Sequence, residues 1–119
     1  MFDAFKKPSK TFLIQLQTQT SLAENLIDSL LYIREALELP GVSLDYIRDT
    51  VNKIREVAKS GNSGNARTCY NAIIEITDFN EELANVLGKM ITPFKDKTGI
   101  DFNKSVLDKA RADGWTSSM

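Results

Sequence analysis

The stretch KSGNSGNAR, Lys59 to Arg67, sets two glycines and two asparagines between basic residues, just before a new helical pattern. A helix N-terminus preceded by glycines presents backbone N–H groups to an anion, and basic side chains add charge. Upstream, Arg48, Asn52, Arg55 and Lys59 recur at steps of four, three and four, a stripe on one helix face leading to this loop. With Asn65 and Arg67 beyond it, the set Arg48, Arg55, Lys59, Asn65 and Arg67 forms a candidate site for a phosphate, a nucleotide or a nucleic-acid backbone. GNSGN lacks the closing Gly-Lys-Ser/Thr of a P-loop, and Asp49 and Glu56 alternate with the basic residues. A helix–helix linker is therefore the expected role, and nucleic acid is not the expected partner.

Other chemistry is sparse. Histidine is absent and cysteine occurs once, at Cys69. Histidine general bases, Ser-His-Asp and Cys-His nucleophilic sites and the usual zinc sites are thereby excluded. An intrachain disulfide is impossible, which favours a reducing, cytoplasmic setting, with Cys69 as a small core residue. Carboxylates recur one turn apart at Glu35 and Glu38 and at Glu75 and Asp78; such pairs on facing helices hold magnesium or manganese in bundle enzymes.

From Glu81 the chain reads EELANVLGKMITPFKDKTGIDFNKSVLDKARADGW. This stretch, roughly a third of the chain, resembles the end of MazG-type all-α nucleotide pyrophosphohydrolases: an E-x-x-D helix, an apolar helix, a GID-like turn and a short L-x-K helix. The resemblance implies a magnesium-dependent bundle that cleaves nucleotides. The position of the metal-binding aspartate falls on Asn85, however, and Leu44 to Lys59 offers only Asp45, Asp49 and Glu56 in place of E-E-x-x-E. The resemblance thus implies a degenerate relative, and no catalytic residue, metal or cofactor is expected.

The elements that would position these residues are helical. A chain of 119 residues with 42% hydrophobic residues supports one modest core, and a net charge of -1 gives no whole-chain attraction to nucleic acid or anionic membrane. No apolar run approaches the ~20 residues of a membrane span. In the opening MFDAFKKPSK, Phe2 and Phe5 beside Lys6 and Lys7 suit a membrane surface or, as expected here, a frayed or partner-docking terminus. The domain reading is a flexible segment 1–8, a helical bundle 9–114 and a polar tail 115–119.

Pro8-Ser9 opens a first helix whose seam is Phe12, Leu16, Gln19, Ala23, Leu26, Leu30, Ile33 and Leu37, widened by Leu13, Ile27 and Leu31. Pro40-Gly41 ends it, and the weak stretch Thr18 to Ser21 is a candidate break. Ser43 caps a second helix carrying Leu44, Ile47, Val51, Ile54 and Ala58, with Gly61 as its stop. Asn65 caps a third, with a seam of Ala66, Cys69, Ile73, Ile76, Asn80, Leu83, Leu87 and Met90, broadened by Ile74, Phe79, Val86 and Ile91; Pro93 ends or bends it. Phe102 to Ala112 makes a short fourth with Val106, Leu107 and Ala110 on one side. No segment alternates with period two. The fold expected is all-α: a bundle of three main amphipathic helices plus a short C-terminal helix.

Lengths suggest an interface. At 1.5 Å per residue the first helix is about 45 Å long, the second about 24 Å and the third about 40 Å, so the third would start near the level of Ala23 and overshoot the first. Phe12, Leu13 and Leu16 at one end and Leu83, Leu87 and Met90 at the other would then be left for a partner protein or a second copy, in a homodimer or higher oligomer. Gln19 and Asn80, at different levels, would set register between chains. Trp115 in the tail is a further anchor for a partner, or a plug for the bundle end. An adaptor, assembly factor, inhibitor or regulator working through protein contacts is the leading expectation.

Overall fold

Ser9 accepts a hydrogen bond from the Phe12 N–H and starts α1, Lys10–Leu37. Ser43 does the same for α2, Leu44–Ser63, through Tyr46 N–H, and Asn65 for α3, Ala66–Thr98, through Thr68 N–H. Asn103 caps α4, Lys104–Ala112, with two N–H groups on its side chain. Each cap satisfies donors that have no partner within the helix. The computed structural model describes residues 5–38 and 43–116, and among these it is an all-α bundle of three long helices and one short one. Phe2, the Pro40-Gly41 stop and tail residues 117–119 lie outside the described residues.

Three local expectations are corrected. α1 does not break at Thr18–Ser21: the Thr18 and Thr20 hydroxyls donate to the carbonyls of Ile14 and Leu16, absorbing their polarity within the helix. α2 does not stop at Gly61 but runs to Ser63, with Gly64 as its C-cap. Gly61 is instead buried where α2 crosses α1 and α3; a Cβ there would lie 2.7 Å from Ala72 Cβ and 2.8 Å from Leu16 Cδ2. Pro93 does not end α3, which continues to Thr98 and closes on Gly99 at a φ of 74°, in the left-handed region that glycine adopts without strain.

The seams form the core. Leu16, Ala23, Leu30 and Ile33 of α1, Ile47 and Ile54 of α2, and Cys69, Ile76, Leu83, Met90 and Phe94 of α3 are buried together. α1 and α3 run side by side in the same direction, with α2 returning between their ends. Their register is fixed at three heights: Phe12 against Tyr70, with ring centroids 6.0 Å apart, Gln19 against Asn80, and the Leu37 carbonyl accepting from Lys97 Nζ at 2.8 Å. α3 therefore begins beside Lys6, whose carbonyl accepts from Ala66 N–H at 2.6 Å, and not at the level of Ala23.

That register removes the expected apolar overhangs. Leu16, Leu83 and Met90 are core residues of one chain, and Phe12, Leu13 and Leu87 pack half-buried against it. Gln19 and Asn80 stand at the same level and bond within the chain. At the far end an aromatic cluster closes the bundle. Tyr32 lies 6.1 Å from Phe94, 6.1 Å from Phe102 and 5.5 Å from Trp115, centroid to centroid. Trp115 Nε1 donates to Glu35 at 2.8 Å, so the Trp folds back over α1.

Candidate functional site

The KSGNSGNAR segment is not a loop. Residues Lys59 to Ser63 complete α2, and only Gly64 and Asn65 separate it from α3. At this turn most of the donors that would cradle an anion are engaged within the chain. Ala66 N–H goes to Lys6, Thr68 N–H and hydroxyl go to Asn65 Oδ1, and Cys69 N–H goes to the Asn65 carbonyl. The anion cradle imagined there does not form around these groups.

The basic stripe has another setting. Arg48, Asn52, Arg55 and Lys59 line one wall of a groove of about 920 Å³ between α1 and α2. Ile27, Leu31, Val51, Ile54 and Ala58 form its apolar floor. Thr20, Glu24 and Asp28 of α1 stand on the opposite wall, and Asn62 and Ser63 at the end toward α3. The helical turn places Asp49 and Glu56 outside this lining, so the charges interleaved in sequence separate in space. Of the five residues expected to bind an anion, Arg48, Arg55 and Lys59 are thus brought together, while Asn65 caps α3 and Arg67 is exposed outside the groove.

The two walls differ in how their charges are engaged. Arg111, from the last turn of α4, forms an ion pair with Asp28 and donates from both terminal nitrogens to Asn25 Oδ1 at 3.2 Å. Among the described residues, Arg48, Arg55 and Lys59 have no side-chain hydrogen bond or ion pair. Three cations spread over twelve residues, about 16 Å of helix, therefore line the trough without an ion pair, with the unpaired Glu24 carboxylate across it. The stripe was legible in sequence as helical spacing. The facing Glu24 and Asp28 were not, because nothing in sequence pairs that side of α1 with α2.

The carboxylate pairs do not converge. Glu35 holds Trp115, Glu38 lies near Lys97 at 3.8 Å, and Glu75 and Asp78 are exposed far down α3. With α1 and α3 in parallel register, Glu75 stands about 30 Å below Glu35. Among the described residues no three Asp, Glu or Cys side chains form a group able to hold a metal ion. In the stretch that resembles MazG proteins, Glu82 accepts from the Tyr46 hydroxyl at 2.8 Å and Asn85 is exposed. Burial pushes the Tyr46 phenol above its ordinary range, and the Glu82 hydrogen bond and charge add to this. Burial likewise raises the Cys69 thiol, away from the thiolate that reactivity needs.

These features define the class: an all-α helical bundle with an amphipathic, charge-lined groove between α1 and α2 and no helix, among the described residues, long and apolar enough to cross a membrane. No protein-family model matches the chain, and neither the curated proteins nor the solved structures contain a match to it.

Proposed function

We propose that the chain is a non-enzymatic cytoplasmic protein that works by holding another protein, as an adaptor, assembly factor, inhibitor or regulator, and that the α1/α2 groove is its contact. The observation that carries this reading is an apolar-floored groove edged by a row of cations that, among the described residues, make no ion pair or side-chain hydrogen bond. Ile27, Leu31 and Ile54 at the base of the groove are already buried, so the half-buried Val51 and Ala58 and the exposed row of cations are what a partner with a complementary charged face would engage. A second copy of the chain is one form such a partner can take.

The test is recovery of bound protein from a native-host lysate, using the intact chain and an Arg48→Glu, Arg55→Glu, Lys59→Glu variant, with the solution mass of each measured. A stoichiometric protein partner held by the wild type and lost from the variant is the expected result. Magnesium-dependent release of pyrophosphate from a nucleotide panel would replace this reading with an enzymatic one. Salt-sensitive retardation of nucleic acid would replace it with a phosphate-backbone binder.

A further inference from the structure

We infer that the occupant of the α1/α2 groove is an amphipathic helix with an acidic flank, which would lie along α1 and α2 as a fourth long helix of the bundle. This rests on the protein-binding reading above and adds the shape and charge of the partner. Shape comes first. The α1 residues in the groove, Thr20, Glu24, Ile27, Asp28 and Leu31, are spaced by four, three, one and three. On α2 the run from Arg48 through Val51, Asn52 and Arg55 to Lys59 and Asn62 follows the same rhythm. Both walls are thus seams of the kind that receive side chains from a third helix in knobs-into-holes packing. The α2 wall, Arg48 to Ser63, is about 22 Å long, or four turns of a helix.

Charge then selects the face. Arg48, Arg55 and Lys59 are separated by steps of seven and four, so a helix aligned with α2 meets all three with carboxylates at the same spacing on one flank. Arg111 already neutralises Asp28, which leaves Glu24 as the anion of the opposite wall. The partner's other flank therefore carries at most a single basic residue opposite Glu24. Between the flanks an apolar stripe at three- and four-residue steps packs on the half-buried Val51 and Ala58, above the buried Ile27, Leu31 and Ile54.

The experiment is a display library of helical peptides of about 18 residues, with a fixed apolar stripe and Glu or Lys at random on both flanks, selected on the full-length protein. The expected result is enrichment of Glu at seven- and four-residue spacing on one flank. The selected peptide should bind the Arg48→Glu, Arg55→Glu, Lys59→Glu variant at least tenfold more weakly, and its Glu→Lys version should bind that variant better than the wild type. Circular dichroism of the variant verifies that these exposed substitutions leave the bundle folded. Selection with no charge preference, or peptides that bind wild type and variant alike, would overturn the inference. So would a wild-type dimer that the triple variant dissociates, since the groove would then belong to a second copy. If no peptide is enriched while the lysate partner is still lost from the variant, the acidic-helix inference fails and the protein-binding reading stands.

Discussion

Asn80 of α3 donates its side-chain amide to both oxygens that Gln19 of α1 offers, the backbone carbonyl and the side-chain Oε1, each at 3.0 Å. Asn80 is only 5% exposed, and no donor among the described residues reaches its Oδ1. The pair fixes the height of α3 against α1, while the unmatched oxygen makes it a poor source of stability. Gln19→Ala, which removes one acceptor from a buried amide, should cost about 0.5–1.5 kcal/mol in urea denaturation. Gln19→Leu with Asn80→Leu should instead raise stability, by about 1–2 kcal/mol, because an apolar seam replaces an incompletely satisfied one. Opposite signs for the two variants are the test; a loss in both would mean the pair stabilises more than its geometry indicates.

Gly61 sits inside a helix, where alanine is ordinarily better by about 1 kcal/mol. Here the new methyl would meet Ala72 Cβ, which has no rotamer to move into, as well as Leu16. Overpacking costs about 1–3 kcal/mol and should outweigh the propensity gain. Gly61→Ala is therefore expected to lower the thermal midpoint, and Gly61→Val to lower it further. A more stable Gly61→Ala protein would show that α2 does not approach α3 so closely.

Trp115 is the chain's single tryptophan, so its fluorescence reports directly on the aromatic cluster around Tyr32. The native protein should show blue-shifted emission protected from iodide. Tyr32→Ala should shift the emission red and expose it to quenching, with α1 to α3 still helical by circular dichroism. Identical emission from native and urea-unfolded protein would mean the C-terminal segment does not dock.

Tyr46 gives an alkaline signature. Its folded pKa lies above its ordinary value of 10.0. As pH rises past that value the unfolded chain loses the phenolic proton first, so stability present below about pH 10 is lost as pH climbs through the folded pKa. Tyr46→Phe should unfold with a shallower dependence on alkaline pH than the wild type. Parallel profiles for the two proteins would show that the Tyr46–Glu82 hydrogen bond contributes nothing to the difference.

The α3 seam from Ala66 to Met90 was readable residue by residue, because three- and four-step spacing depends only on helix geometry. Ser9, Ser43 and Asn65 were readable as caps for the same local reason. What sequence missed was the outcome of packing. Gly61 resembles a helix terminator until the approach of Leu16 and Ala72 is known, and reading it so shortened α2 by about one turn; adding helix lengths end to end, with no knowledge of the connections between them, displaced α3 the rest of the way from Lys6 to the level of Ala23. From that one displacement followed the false overhangs at Leu16 and Met90 and the separation of Gln19 from Asn80. The groove was half legible: Arg48, Arg55 and Lys59 share a face by spacing alone, whereas Glu24 joins them only through the angle at which α1 meets α2.

The parallel pairing of α1 with α3 also dictates how the chain must be made. Gln19 finds Asn80 and Leu37 finds Lys97 across separations of 61 and 60 residues, so the largest helix interface closes a long loop and is slow to nucleate. During synthesis at 5–20 residues per second, the apolar seam of α1 emerges about 3–12 s before the stretch of α3 that covers it. α2 and α3, joined by a two-residue turn, are free to pair as a hairpin as soon as both have left the ribosome. The nascent chain thus passes through an interval in which its first helix is finished but uncovered, and chaperone capture or aggregation would fall on the Leu16–Ile33 segment.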